Sequence, residues 1–173
     1  MNRTMKKLIT SLIFFSWAFS IYAQSYTDKL AIVELLEGNW KGNLSYLNFQ
    51  DDKTRGTVDL EIKGVRSENE VELKYTYYNN GVVVREGKDK VVADNNANKF
   101  NFNDVWDLES FEKTGEDEYV IVLSTKGKDN GKRSLMRKTI NISASNLTIR
   151  RDIKYLKADT DYFNRHIYRL EKQ

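Results

Sequence analysis

Residues 71–86 read Val-Glu-Leu-Lys-Tyr-Thr-Tyr-Tyr-Asn-Asn-Gly-Val-Val-Val-Arg-Glu. Val71, Leu73, Tyr75 and Tyr77 alternate with Glu72, Lys74 and Thr76, the period of a strand that turns one apolar face to a core. Asn79-Asn80-Gly81 follows at once, and Asn and Gly tolerate the positive φ that a tight hairpin demands. The chain then runs back through Val82 to Glu86. The unit is an antiparallel hairpin.

The same alternation extends to both sides. Trp40, Gly42, Leu44 and Tyr46 precede it, then Val58, Leu60 and Ile62. After it come 90–93 and 99–102, then Tyr119, Ile121 and Leu123, with Asp129-Asn130-Gly131 as a second turn. Ile140 and Ile142, then Leu147, Ile149 and Ile153, then 162–170, complete the series. One short helix is expected over 28–36, where Leu30, Val33 and Leu36 recur on one face, Asp28 caps the start and Gly38 ends it. Strands in sequence without crossover helices make an all-β chain. The expected fold is an antiparallel up-and-down barrel of about 8–10 strands, because closure removes the edges that a long meander exposes. The acids around 105–108, namely Asp104, Asp107, Glu109 and Glu112, read as a solvated loop.

The chain has 173 residues, 40% hydrophobic and 31% charged, with neither Cys nor Pro. That length suits one domain, and the apolar content excludes wholesale disorder. Without Cys there are no disulfides, thiolate metal sites or cysteine nucleophiles. Residues 1–23 have a basic start (Arg3, Lys6, Lys7), an apolar run and Ala23 ahead of Gln24. This is the layout of a secretory signal peptide, with 24–173 as the barrel domain. The apolar run, about 15 residues, falls short of the ~20 that a spanning helix needs. The expectation is an exported protein, periplasmic or extracellular, without stable membrane insertion after cleavage. The 28 Lys+Arg and 25 Asp+Glu give +3. The leading segment accounts for that excess, so a nucleic-acid partner loses its electrostatic motive.

Leu36-Glu37-Gly38-Asn39-Trp40-Lys41-Gly42 places a Gly-x-Trp-x-Gly between the helix and the first strand. It resembles the start of lipocalins and other calycin barrels, where a Gly-x-Trp on the first strand plugs one end. The end of the chain, Arg165-His166-Ile167-Tyr168-Arg169-Leu170-Glu171-Lys172, is similar to the closing strand of such barrels. The resemblance runs over 38–172 and extends in outline to exported lipocalin-like proteins of Gram-negative bacteria. It implies a closed barrel whose lumen binds a small hydrophobic or amphipathic molecule without transforming it. The related fatty-acid-binding proteins grip a carboxylate through an Arg-x-Tyr on the last strand. Here His166-x-Tyr168 has that spacing with His in place of Arg.

The candidate ligand-binding residues follow. Trp40 would close one end. Tyr46, Tyr75, Tyr77 and Tyr119, which lie on the apolar parity of their strands, would line the lumen with Tyr168. Arg151 shares parity with Leu147, Ile149 and Ile153, which points it to the apolar face, where a cation needs a partner or an anionic ligand; a bulge beside Arg150 would turn it to solvent instead. Arg151 or His166 would meet a polar head. Large side chains filling a narrow barrel would explain the same tyrosines.

His166 is the only histidine. A catalytic triad would have to use it, and the Gly-x-Ser-x-Gly on a strand–turn–helix is missing. A single His can ligate haem, and haem-carrying nitrobindin barrels resemble this chain in having a His near the last strand. Asp129-Asn130-Gly131 lacks the spacing of an EF-hand loop. No catalytic residue, metal or cofactor is assigned. A small isomerase or cyclase using a Tyr or Glu as acid, and a partner-binding envelope barrel without a lumen, remain open beside the binder.

Overall fold

The computed structural model describes residues 26–96, 98–157 and 161–173. The expected export signal over 1–23 lies outside them. Helix α1 covers 26–36 and is not long and apolar enough to cross a membrane. Ten strands follow: β1 Gly38–Leu47, β2 Arg55–Ser67, β3 Glu70–Asn79, β4 Val82–Val92, β5 Lys99–Phe102, β6 Asp104–Gly115, β7 Glu118–Asp129, β8 Lys132–Ile142, β9 Asn146–Tyr155 and β10 Phe163–Lys172. Each pairs antiparallel with its neighbours in sequence, and β10 pairs with β1 to close the barrel. The all-β up-and-down barrel with one short N-terminal helix is therefore the fold.

The alternation read from sequence is what builds it. Leu60, Ile62, Val71, Leu73, Ile121, Leu123, Ile140, Leu147 and Ile149 point inward and form one core. The turns fall where Asn and Gly supply positive φ, at Asn80 (50°) and Gly81 (75°), and again at Asn130 (49°) and Gly131 (75°). One segment departs from the reading. The acids Asp104, Asp107, Glu109 and Glu112, expected on a solvated loop, lie on β6, which pairs with β5 and β7. Its acids face solvent while Trp106 and Leu108 turn inward, Trp106 being buried. Likewise 82–93, expected in two pieces, contains the single strand β4.

Both ends of the barrel are covered. At one, α1 lays Ile32, Val33 and Leu36 against the core. Lys29, buried at the base of α1, donates to Asp94 Oδ1 (2.8 Å) and to the carbonyls of Asn96 (2.6 Å) and Lys99 (2.7 Å). Gly64 permits this docking, since a Cβ there would stand 2.1 Å from the Leu36 carbonyl oxygen. At the other end, Arg165 is clamped by Asp52 (2.8 Å) and Asp129 (2.5 Å) and accepts no exposure to solvent beyond 1%.

The wall is weakest at β4. It pairs with β5 only at Val91 and Val92, leaving 82–90 without a strand partner on that side. Asn103, in the β5–β6 turn, donates its backbone N–H to the Lys90 carbonyl (2.6 Å) and marks the lower limit of this gap.

Candidate functional site

Behind the gap lies a cavity of about 170 Å³ lined by Tyr75, Asp89, Phe102, Asn103, Asp104, Trp106, Lys138, Ile149, Arg151, His166 and Tyr168. A single water needs only ~10–15 Å³ of such volume, so the cavity has room for a small organic molecule. Asn103 and Asp104 are exposed and form its rim.

Cross-strand register assembles the polar side of the cavity. Lys138 of β8 stands opposite Arg151 of β9, and Arg151 stands opposite His166 of β10. Lys138 shares inward parity with Ile140 and Ile142, and Arg151 shares it with Ile149. His166 reaches the same row because the register of β10 shifts between Asn164 and His166. This bulge leaves Arg165 as an extra residue, so consecutive side chains serve different places. Arg165 joins the closed end of the barrel, while His166 enters the cavity.

Neither Lys138, Arg151 nor His166 makes a direct ion pair among the described residues, although Asp89 and Asp104 line the same cavity. Arg151 Nε is buried without a hydrogen-bond partner, and its Nη2 rests against the Met136 sulfur, a weak acceptor. Lys138 Nζ lies 3.7 Å from the Phe102 ring centroid and 4.5 Å from that of Trp106, a cation–π arrangement that offsets part of its desolvation. Burial pulls the Lys138 amine down to about 7, with Asp89 and Asp104 working against the shift and Arg151 adding to it. Burial also pushes His166 down to about 3, helped by Arg151, Lys138 and Arg165, so the imidazole is neutral.

The tyrosines complete the wall. The Tyr75 hydroxyl donates to Asp89 Oδ2 (3.1 Å), and the Tyr77 and Tyr168 hydroxyls stand 3.5 Å apart. Burial raises the pKa of Tyr75, Tyr77 and Tyr168, keeping all three as neutral phenols. His166 meets Tyr168 edge-on at 5.3 Å. Asp89 is thus engaged by a phenol rather than by a cation.

Of the residues singled out from sequence, Tyr75, Arg151, His166 and Tyr168 line this cavity, and Tyr77 supports it through Tyr168. Trp40 sits at the α1 end, its indole N–H donating to the Leu36 carbonyl (3.2 Å). Tyr119 packs on Phe111 at 5.7 Å, away from the cavity. Tyr46 is register neighbour to His166 but lays its ring over Gly56, where a Cβ would meet it at 2.6 Å. Lys138, Asp89, Phe102, Asn103, Asp104, Trp106 and Ile149 line the cavity without having been singled out as ligand-binding from sequence. Strand parity with Ile140 and Ile142 was the available signal for Lys138, and nothing local announced Asp89.

A larger cleft of about 920 Å³ runs along the polar face of β1–β4 and includes Lys41, Glu61, Glu72, Lys74 and Lys88. Most of its charges are matched, with Lys41 at 3.0 Å from Glu61, and Lys74 (3.3 Å) and Lys88 (3.7 Å) sharing Glu72, while Lys63 and Glu86 are exposed to solvent. It presents no unpaired group to a ligand that compares with Arg151 Nε. No protein-family model matches the chain, and no curated protein matches it.

Proposed function

We propose that this chain is an exported, lipocalin-like binding protein that holds a small amphipathic anion in the barrel interior, entering through the gap beside β4. The observation that carries this reading is the row Lys138–Arg151–His166, turned inward onto one cavity with no carboxylate paired to it. Buried cations are retained where something compensates them, and an acidic ligand is that compensation. Arg151 offers a directional donor and Lys138 a point charge. Phe102, Trp106 and Ile149 give the apolar part of the ligand a surface to rest on. The volume, about 170 Å³, lies below the ~300–1,000 Å³ of pockets for drug-sized molecules. The ligand is accordingly small, and the space beside His166 is too small for haem.

Titration with hexanoate, followed through Trp106 fluorescence, tests this directly, with hexanol as the uncharged control. Hexanoate is expected to bind and hexanol not to. A hydrogen bond to a charged group contributes about 1.5–3 kcal/mol, so Arg151→Met should weaken hexanoate roughly ten- to a hundredfold. Equal response to the acid and the alcohol, or binding indifferent to Arg151→Met, overturns the proposal.

A further inference from the structure

We propose that Lys138 is a reactive amine that captures the carbonyl group of a small oxo acid as an imine, while Arg151 holds the carboxylate. The inference rests on the lumen-binding reading and adds a chemical step to it. Its ground is geometric. Lys138 is 9% exposed, projects into the cavity, and has the Phe102 and Trp106 rings against its amine, which donates no hydrogen bond among the described residues. An ammonium in such surroundings is disfavoured relative to the free amine, and a free amine desolvated in an apolar pocket beside another cation is an activated nucleophile. The depressed pKa, about 7, agrees with that geometry.

The groups facing this amine come from every wall of the cavity. Asp89 comes from β4, Asp104 from β6, Arg151 from β9, His166 and Tyr168 from β10, and Tyr75 from β3. Arg151 and Lys138 are directly opposed across β8 and β9. A molecule with its carboxylate on the guanidinium therefore brings a carbonyl one or two bonds away toward the amine. The step balances without any further reagent. The Lys138 nitrogen lone pair forms the C–N bond, and the carbonyl π pair moves to oxygen. One nitrogen proton passes through Asp89 or Asp104 to that oxygen to give the carbinolamine. The C–O bond then breaks as the nitrogen lone pair forms the C=N bond, and the second nitrogen proton follows the same route to the departing hydroxyl, which leaves as water. One amine and one carbonyl give one imine and one water. Because both carboxylates line the same cavity, the proton need not cross the barrel wall.

Reductive trapping reads this out on the intact protein. Incubation with pyruvate and cyanoborohydride at pH 7, then intact-mass analysis and peptide mapping, is expected to give one adduct, at Lys138. Its formation should be at least tenfold faster than the average over the remaining lysines. Lys138→Arg should lose the fast adduct. Arg151→Met should slow capture of pyruvate several-fold more than capture of propanal, which lacks a carboxylate and loses only the activation that the neighbouring cation gives the amine. Labelling spread evenly over surface lysines, with Lys138 no faster than they are, overturns the inference. If hexanoate still binds in that case, the reading of the cavity as an anion site survives alone. Fast trapping at Lys138 in a protein that ignores hexanoate would instead uphold the amine and sink the anion site.

Discussion

Lys138 and His166 flank Arg151 in one row, and burial works on both in the same direction. A lysine titrates near 10.5 when solvated and at about 7 here. Between those values the unfolded chain holds the extra proton, so this group makes stability rise with pH across that window and imposes its full penalty below it. Lys138→Met keeps the length of the side chain and removes the charge. It should raise stability at pH 7 by about 1–4 kcal/mol and abolish the slope between pH 7 and 10.5. Urea unfolding across that pH range checks it, and a variant less stable than the parent would contradict it. His166 follows the same logic at lower pH. Its folded value of about 3 lies below the usual 6.5, so its contribution is intact above pH 6.5 and is lost as pH falls toward 3. His166→Gln should flatten acid unfolding over that interval.

At the scale of the element, β10 shows how one extra residue divides labour. The bulge after Asn164 sends Arg165 to the closed end, where it bonds Asp52, Asp129 and the Tyr155 hydroxyl (2.8 Å) and lies over Phe49 at 4.5 Å. Burial opposes the guanidinium charge there, yet the hydrogen bonds to Asp52 and Asp129 outweigh it and the Arg165 pKa stays raised. Asp129 is buried with it. Arg165→Met should therefore cost about 3–5 kcal/mol, because it leaves a carboxylate buried without its cation. Arg165→Met combined with Asp129→Asn should recover part of that loss, and thermal unfolding of both variants tests the coupling. Sequence reading reached the strands on either side of this bulge because apolar alternation is a local signal. The bulge itself depends on pairing with β9, so the His166-x-Tyr168 spacing singled out His166 only through a resemblance, and nothing local gave Arg165 a role. β6 escaped for a related reason. It is short of alternating apolar residues, and its place is set by pairing with β5 and β7, which the acids at 104, 107, 109 and 112 disguise.

For the whole molecule, the arrangement has a simple logic. Helix α1 with Trp40 covers one end, the Arg165 cluster covers the other, and hydrophobic side chains fill the interior next to α1. What is left is a polar cavity opening sideways where β4 lacks a neighbour. The sequence made closure and the terminal helix readable, since each follows from periodicity or a cap, while parity left the course of Arg151 open between the core and a bulge to solvent. It did not reveal that three neighbouring strands set cationic or imidazole side chains at one level, because that coincidence is a property of register between segments far apart in the chain. Nor did it separate tyrosines that line the cavity from Tyr119, which packs on Phe111, or from Tyr46, which stands level with His166 but lays its ring over Gly56. The central claim is that this row is an anion site inside the barrel. Side-chain NMR of protein labelled with ¹³C and ¹⁵N, recorded during a hexanoate titration, tests it most directly. The account predicts saturable shifts at Lys138 Nζ, Arg151 Nε and the His166 ring. Shifts confined to Lys41, Lys74 and Lys88 on the outer cleft, with the inner row unmoved, would contradict it.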